Sequence, residues 1–443
     1  MLEHSLNLAW VLLCSFLVMF MQVGFAMLET GFARSKNAVH TMAMNFVIYA
    51  IGIVGFWLVG YGVAMGGVEG WRSLGPAVGD HVELGFHVGA RFFGLLGGTK
   101  FALMSVAHDP PNLAMFLFSA VFMDTAATVP TGALVERWRF ASFVAYGLFM
   151  SMFIYPVFAN WVWGGGWLGS LGAYYGMGHG MVDFAGSSVV HMTGGLTALA
   201  GVLSLGPRIG KFLKDGTISM IQGHNLPMAV VGTLILGFGW FGFNAGSTLS
   251  ATEPRIAEIA TNTAIASATG GLTSLGYVWQ RHRRPDVAMA CNGFIGGLVS
   301  VTASCAFVAP PAAALIGLIA GLLVALSVGT VERRMRIDDP VGAIAVHGVC
   351  GVWGALSVGL FADGSFGEGW NGVDGPVRGL LFGDVGQLVA QTIGVVTNAV
   401  FVFGSAYGLF LVLDRLIGNR VAPEVETAGL DDLEMGSDAY PRD

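Results

Sequence analysis

Stretches of about 20 mainly apolar residues recur eleven times along the chain, separated by polar or Gly/Pro-rich breaks. They run near 6–29, 39–65, 112–134, 140–163 and 184–205, then 226–246, 257–279, 287–307, 311–330 and 339–361, with the eleventh near 385–413. Each is long enough to cross the hydrocarbon of a bilayer as a helix, which satisfies its backbone hydrogen bonds internally. Only 11% of the 443 residues are charged, too few to coat a soluble domain of this length. The pattern predicts an all-α polytopic membrane protein of eleven transmembrane helices. The 67 glycines suit close helix packing in lipid, where no water-driven force brings helices together. Met1-Leu2-Glu3-His4 lacks the basic region of a signal peptide, so the first stretch is expected to be a retained helix.

An odd number of spans puts the termini on opposite sides, and basic residues choose the sides. Of the 21 lysines and arginines, only Arg72, Arg91, Lys100, Arg255 and Arg378 fall in one set of connecting segments, and the rest fall in the alternate set with the C-terminal tail. This predicts the N-terminus outside and the C-terminus inside. A membrane unit over 1–416 and a cytosolic tail over 417–443 follow. The net charge of −7, with no long run of one sign, gives no reason to expect a nucleic-acid partner. Cys14, Cys291, Cys305 and Cys350 show no Cys-x-x-Cys spacing, so neither a disulfide framework nor a zinc site is expected.

Two segments share a pattern: DFAGSSVVHMTGG at 183–195 and DPVGAIAVHGVCG at 339–351. In each an Asp precedes a Val-His pair by the same interval, and a Gly follows four residues after the His. With five spans in each half, about 6–205 and 226–361, the second copy runs through the membrane in the opposite direction. Transporters built from inverted repeats place their site at the repeat interface near the midplane, which would bring His191 and His347 together. An isolated histidine in a span is commonly a packed core residue; matched placement in both halves favours function.

Other stretches carry a resemblance that spans nearly the whole chain: MQVGFAMLETGFARSKNA (21–38), GALVERWRF (132–140), WGGGW (163–167), GWFGFNAGS (239–247), DDPVGAIAVHGVCG (338–351) and GLDDLEMGSDAY (429–440). With the first histidine segment, they resemble the ammonium transporters of the Amt/Mep type. The resemblance implies a homotrimer in the plasma or bacterial inner membrane, with one pore per subunit and the eleventh helix peripheral to two inverted five-helix repeats. It implies no cofactor and no enzymatic activity. Carried over residue by residue, it makes Trp163, Phe118, Phe122 and Ser247 the outer recruitment site for ammonium, with Asp183 supporting that site from within. It also makes Phe122 and Phe243 a stacked gate, and His191 and His347 the twin histidines of the pore. A PII-type signalling protein is the implied cytosolic partner. The chain departs from the family pattern at Ser119, at Met123-Asp124 beside the gate and at Met435 in the tail.

These residue types suit ammonium. The cation is about as large as potassium, so chemistry must separate the two. An indole face attracts a cation by its quadrupole, worth about 0.5–2 kcal/mol. A serine oxygen can accept an N–H bond that a spherical ion cannot offer. Below a phenylalanine gate, an intact cation would pay at least ~2.5–3.5 kcal/mol, which loss of a proton avoids. Imidazole nitrogens can then pass neutral ammonia by donating and accepting in turn. Three alternatives stand beside this reading: an ammonium sensor signalling through a cytosolic partner, a Rhesus-type gas channel, and a redox protein with haem held between His191 and His347. The outer tryptophan argues against the Rhesus type.

Overall fold

The computed structural model describes residues 1–76 and 79–440. Among them are eleven helical segments of 15 residues or more, one at each expected stretch. In chain order these are α1 Leu2–Phe32, α2 Ser35–Met65, α3 Pro110–Leu134, α4 Phe140–Trp163, α5 Ser187–Leu205, α6 Leu226–Gly246, α7 Arg255–His282, α8 Val287–Val301, α9 Pro310–Arg333, α10 Ile344–Phe361 and α11 Val385–Leu416. Nine are long and apolar enough to cross a membrane. The other two are α8, apolar but only 15 residues long, and α7, which has 28 residues but a more polar composition.

Local chemistry sets several helix starts. Asp109, Asn225, Asp286 and Asp384 each accept a backbone N–H from the first turn of α3, α6, α8 and α11. Proline occupies the first turn of α3, α6 and α9, where its missing N–H is not needed. α3 is the most enclosed of the span-length helices, and α1 lies along α6 over most of its length.

The expectation of an all-α chain needs one correction. Glu83–Val88 and Arg91–Gly97 form an antiparallel hairpin, tied to the end of α4 by Trp161 Nε1 donating to Leu95 O (3.0 Å) and Trp167 N to Gly94 O (3.0 Å). The α5 and α10 segments also start later than expected. Their lead-in residues are folded back onto an aspartate, Asp183 or Asp339, before the helix begins.

At one end of the bundle the turns after α1, α3, α5 and α9 meet the tail. Glu136 pairs with Arg34 and Arg208, and Arg208 pairs with Asp338 at 2.8 Å; Glu136, Arg208 and Asp338 are buried. The tail is docked on this end: Asp431 accepts the N–H groups of Val39 (3.0 Å) and His40 (2.9 Å), and Glu434 that of Phe140 (3.0 Å).

Candidate substrate pathway

A cavity of about 220 Å³ sits at the end of the bundle opposite the tail, where the sequence places the outer recruitment site. Trp163, Phe118, Phe122, Ser247 and Asp183, assigned from separate stretches of the sequence, all line it. Trp163 ends α4, and its indole N–H donates to the Asp183 carbonyl at 2.7 Å, which fixes the ring. The Ser247 hydroxyl donates to Phe243 O at 2.8 Å, so its own oxygen presents lone pairs for a donor. Met65, Trp71, Met115, Trp370 and Asn371 complete much of the wall. Apart from Met115 on α3 and Met65 at the end of α2, these sit in connecting segments, which sequence reasoning left unassigned.

Asp183 is wholly taken up by its own chain. Its carboxylate accepts N–H bonds from Gly186, Ser187, Ser188 and Val189 at 2.8–3.0 Å and the Ser188 hydroxyl at 2.6 Å. Gly186 takes φ +114°, a backbone that side-chain-bearing residues rarely adopt. The second copy behaves alike: Asp339 accepts from Gly342, Ala343 and Ile344, and Gly342 has φ +81°. Each fold-back leads into a π-helical turn, Ser187–Met192 or Ile344–Val349, that carries the histidine.

Beneath the cavity the rings form a stack. Phe118 lies 4.5 Å from Phe122, and Phe122 faces Phe243 at 3.9 Å with an interplanar angle of 18°. Phe243 is followed by His191 at 5.4 Å, and Trp240 flanks the His191 ring at 4.8 Å. The Nδ1 atoms of His191 and His347 approach to 3.3 Å. One Nδ1 must therefore carry a proton and the other accept it. A metal between two imidazole nitrogens needs about 4 Å at roughly 2 Å per bond, so these histidines do not fit a haem held between them.

Past His347, toward the tail-facing end, lies a second cavity of about 20 Å³, lined mainly by apolar side chains with Glu29 and Asn292. Neither was singled out from sequence, although an acidic residue inside an apolar stretch is itself a signal. Asp124, the departure beside the gate, is buried but does not line the outer cavity; its Oδ1 points toward Gly52 of α2 and has no hydrogen-bond partner. The four cysteines are free and buried.

Comparison with known proteins agrees in both sequence and fold. The family model described as Ammonium Transporter Family matches residues 9–440. Ammonium transporter Amt2 of Archaeoglobus fulgidus is 44% identical over 442 residues, covering 99% of this chain and 89% of the relative. Ammonium transporter 1 member 3 of Solanum lycopersicum is 33% identical, covering 98% and 93%. A solved structure called "Sensor Amt Protein" superposes with a TM-score of 0.84 at 35% identity, covering 97% and 98%. Candida albicans Mep2 superposes with a TM-score of 0.79 at 27% identity, covering 95% and 87%. The chain is thus an integral membrane protein, mostly helical, and belongs to the ammonium transporter family, a family of transporters rather than enzymes.

Proposed function

We propose that this protein moves ammonium across the membrane by recruiting the cation in the outer cavity, where it gives up a proton to water at the Phe122–Phe243 gate as its N–H bond breaks, and by conducting the resulting ammonia past His191 and His347. The observation that carries the reading is continuity: cavity, stacked rings and histidine pair follow one another without a charged side chain among them that is free of partners. In the cavity Trp163 supplies the quadrupole and Ser247 the directional acceptor, while Asp183 holds the backbone beneath them. At the gate two rings at 3.9 Å exclude a hydrated cation.

The arrangement in the bilayer belongs to the same proposal. All eleven helical segments cross the membrane over residues 1–416 as two inverted five-helix repeats plus α11, with the N-terminus outside and the 417–443 tail inside. Support comes from the reciprocal contact of the two histidine segments. A Cβ on Gly195 would meet Gly348 N at 2.2 Å, and one on Gly351 would meet Ser187 O at 2.6 Å. Alternate connecting turns also meet the tail at one arginine-rich end. The exposed side of α7 carries Ala257, Thr261, Ala264 and Ala268 toward one end and Leu272 and Trp279 toward the other, a face that a neighbouring copy in a homotrimer would cover. The tail and the α5–α6 loop would form the docking face for a PII-type protein, tested by co-purification from a nitrogen-sufficient host.

The deciding experiment follows an ammonium jump on reconstituted protein with two readouts, internal alkalinisation for ammonia entry and current for any charge that crosses. A flux above that of protein-free liposomes that scales with protein content is expected, and absence of both signals in intact, oriented protein would sink the transport reading. A sensor reading is favoured by the resemblance to the structure called "Sensor Amt Protein". It would be supported by ammonium-dependent partner binding without flux.

A further inference from the structure

Among the described residues, several buried carboxylates are met by cations or by a shell of N–H groups; Asp124, off the pathway, and Glu29, on it, are not. Glu136 pairs with two arginines, Asp338 with Arg208, and Glu426 with Arg420. Asp183 is saturated by four N–H groups and a hydroxyl. Glu29, on α1, is 2% exposed and forms no ion pair among the described residues. Its Oε2 accepts from Asn45 Nδ2 at 2.7 Å and Thr131 Oγ1 at 2.8 Å. Both donors are neutral, so they orient the group without compensating its charge.

The position of Glu29 suggests what it acts on. Glu29 lines the cavity beneath His347, and Phe25, one helical turn earlier on α1, packs against the His347 ring at 6.3 Å. The free space of about 20 Å³ suits a single molecule of the size of water or ammonia. Isolated charge in such a place is costly unless paired.

Resting on the transport reading above, we infer that the cavity below His347 is an inner ammonium site in which Glu29 exchanges the proton. Ammonia arriving from His347 takes the proton of the Glu29 carboxyl: an N–H bond forms, the O–H bond breaks, and the resulting ammonium is held by the carboxylate. Ammonium then leaves for the inner solvent, and the carboxylate recovers a proton from hydronium there. Among the residues that line the cavity or hydrogen-bond to Glu29, only His347 is also titratable, so the proton has a single pair of groups to choose between.

The test uses full-length protein in proteoliposomes, with ammonium as the probe, symmetric buffers across a pH series, and flux above that of protein-free liposomes read as internal alkalinisation. Glu29→Gln should lower the saturating ammonium flux roughly 100-fold or more while leaving the half-saturation concentration, set at the Trp163 cavity, unchanged. Its flux should also lose a pH-dependent step present in the parent. Glu29→Asp, which keeps the carboxyl, should recover most of the flux and show the step at a displaced pH. A Gln variant with parental flux and pH profile, or an Asp variant no better than Gln, would overturn the inference. If Gln fails to assemble, the pH profile of the Asp variant decides alone: a profile identical to the parent's overturns it. Parental flux with unaffected variants sinks only the role of Glu29, whereas no parental flux sinks the transport reading with it.

Discussion

Asp183 and Asp339 occupy equivalent places before the two histidines, and each carboxylate turns back to accept the N–H groups of the residues that follow it. The matched pair explains why an Asp stands at the same interval before each Val-His in the sequence. The fold-back includes a glycine with positive φ, and the chain enters the helix with its histidine aimed at the other histidine.

Removing either anchor should therefore act through the backbone. Asp183→Ala would leave four N–H groups and the Ser188 hydroxyl without their acceptor, and a buried unmet donor costs about 1–3 kcal/mol. The expected outcome is a loss of stability on the order of 3 kcal/mol or more after partial relaxation. Thermal unfolding of the detergent-purified variant measures it. An Asp183→Ala protein as stable as its parent would show that the fold-back is not needed.

Trp163→Leu keeps apolar volume in the outer cavity but removes the quadrupole and the hydrogen bond to Asp183 O. A loss of about 0.5–2 kcal/mol in cation attraction corresponds to roughly 2–30-fold weaker apparent affinity for ammonium. The half-saturation concentration of ammonium flux reads this directly, and an unchanged value would remove Trp163 from the site.

At the tail-facing end, burial alone would raise the Asp338 carboxyl, but the hydrogen bonds and charge of Arg208, with the charge of Arg137, outweigh it and hold the group well below the usual carboxylate range. A depressed folded-state value means the ionised form favours folding. The contribution is fully present above the ordinary value near 4 and is lost as pH falls below it. The stability advantage of the parent over Asp338→Asn should be flat from about pH 7 to about pH 5 and shrink below about pH 4. Paired thermal unfolding across that range checks the sign; an advantage that grows on acidification would contradict the assignment.

How much of this pathway the sequence discloses depends on the kind of signal each residue leaves. The histidine pair is legible because the same spacing occurs twice, and Phe118 and Phe122 because residues four apart share a helix face. Asp124 illustrates the limit: two residues past Phe122 is about 200° around the helix, so a side chain adjacent in sequence faces α2 instead of the cavity. Trp71 and Trp370 reach the cavity from connecting segments, whose path no periodicity records. The hairpin at 83–97 is hidden for a related reason, since hydropathy reports span-length runs and passes over short strands between them. Glu29 could have been found, because a lone acid within the first apolar run is costly in lipid and asks for an explanation.

The histidine pair carries the sharpest expectation. With their Nδ1 atoms 3.3 Å apart, two doubly protonated rings would point N–H groups at each other, so the geometry requires at least one neutral imidazole. A hydrated metal cation that passed the Phe122–Phe243 stack would meet no negative charge at this depth, and ammonia would meet a donor and an acceptor in sequence. Replacing His191 or His347 with Asp puts a group at this point that can be anionic, hold a cation and draw water in with it. Either Asp variant is expected to conduct potassium, while either Ala variant should carry less ammonium without any new potassium current. Matched proteoliposome preparations, recorded in ammonium and then in potassium, separate the cases. If all four variants carry ammonium at the parental rate and still exclude potassium, the pair serves packing, and selectivity must reside in the outer cavity and the ring stack alone.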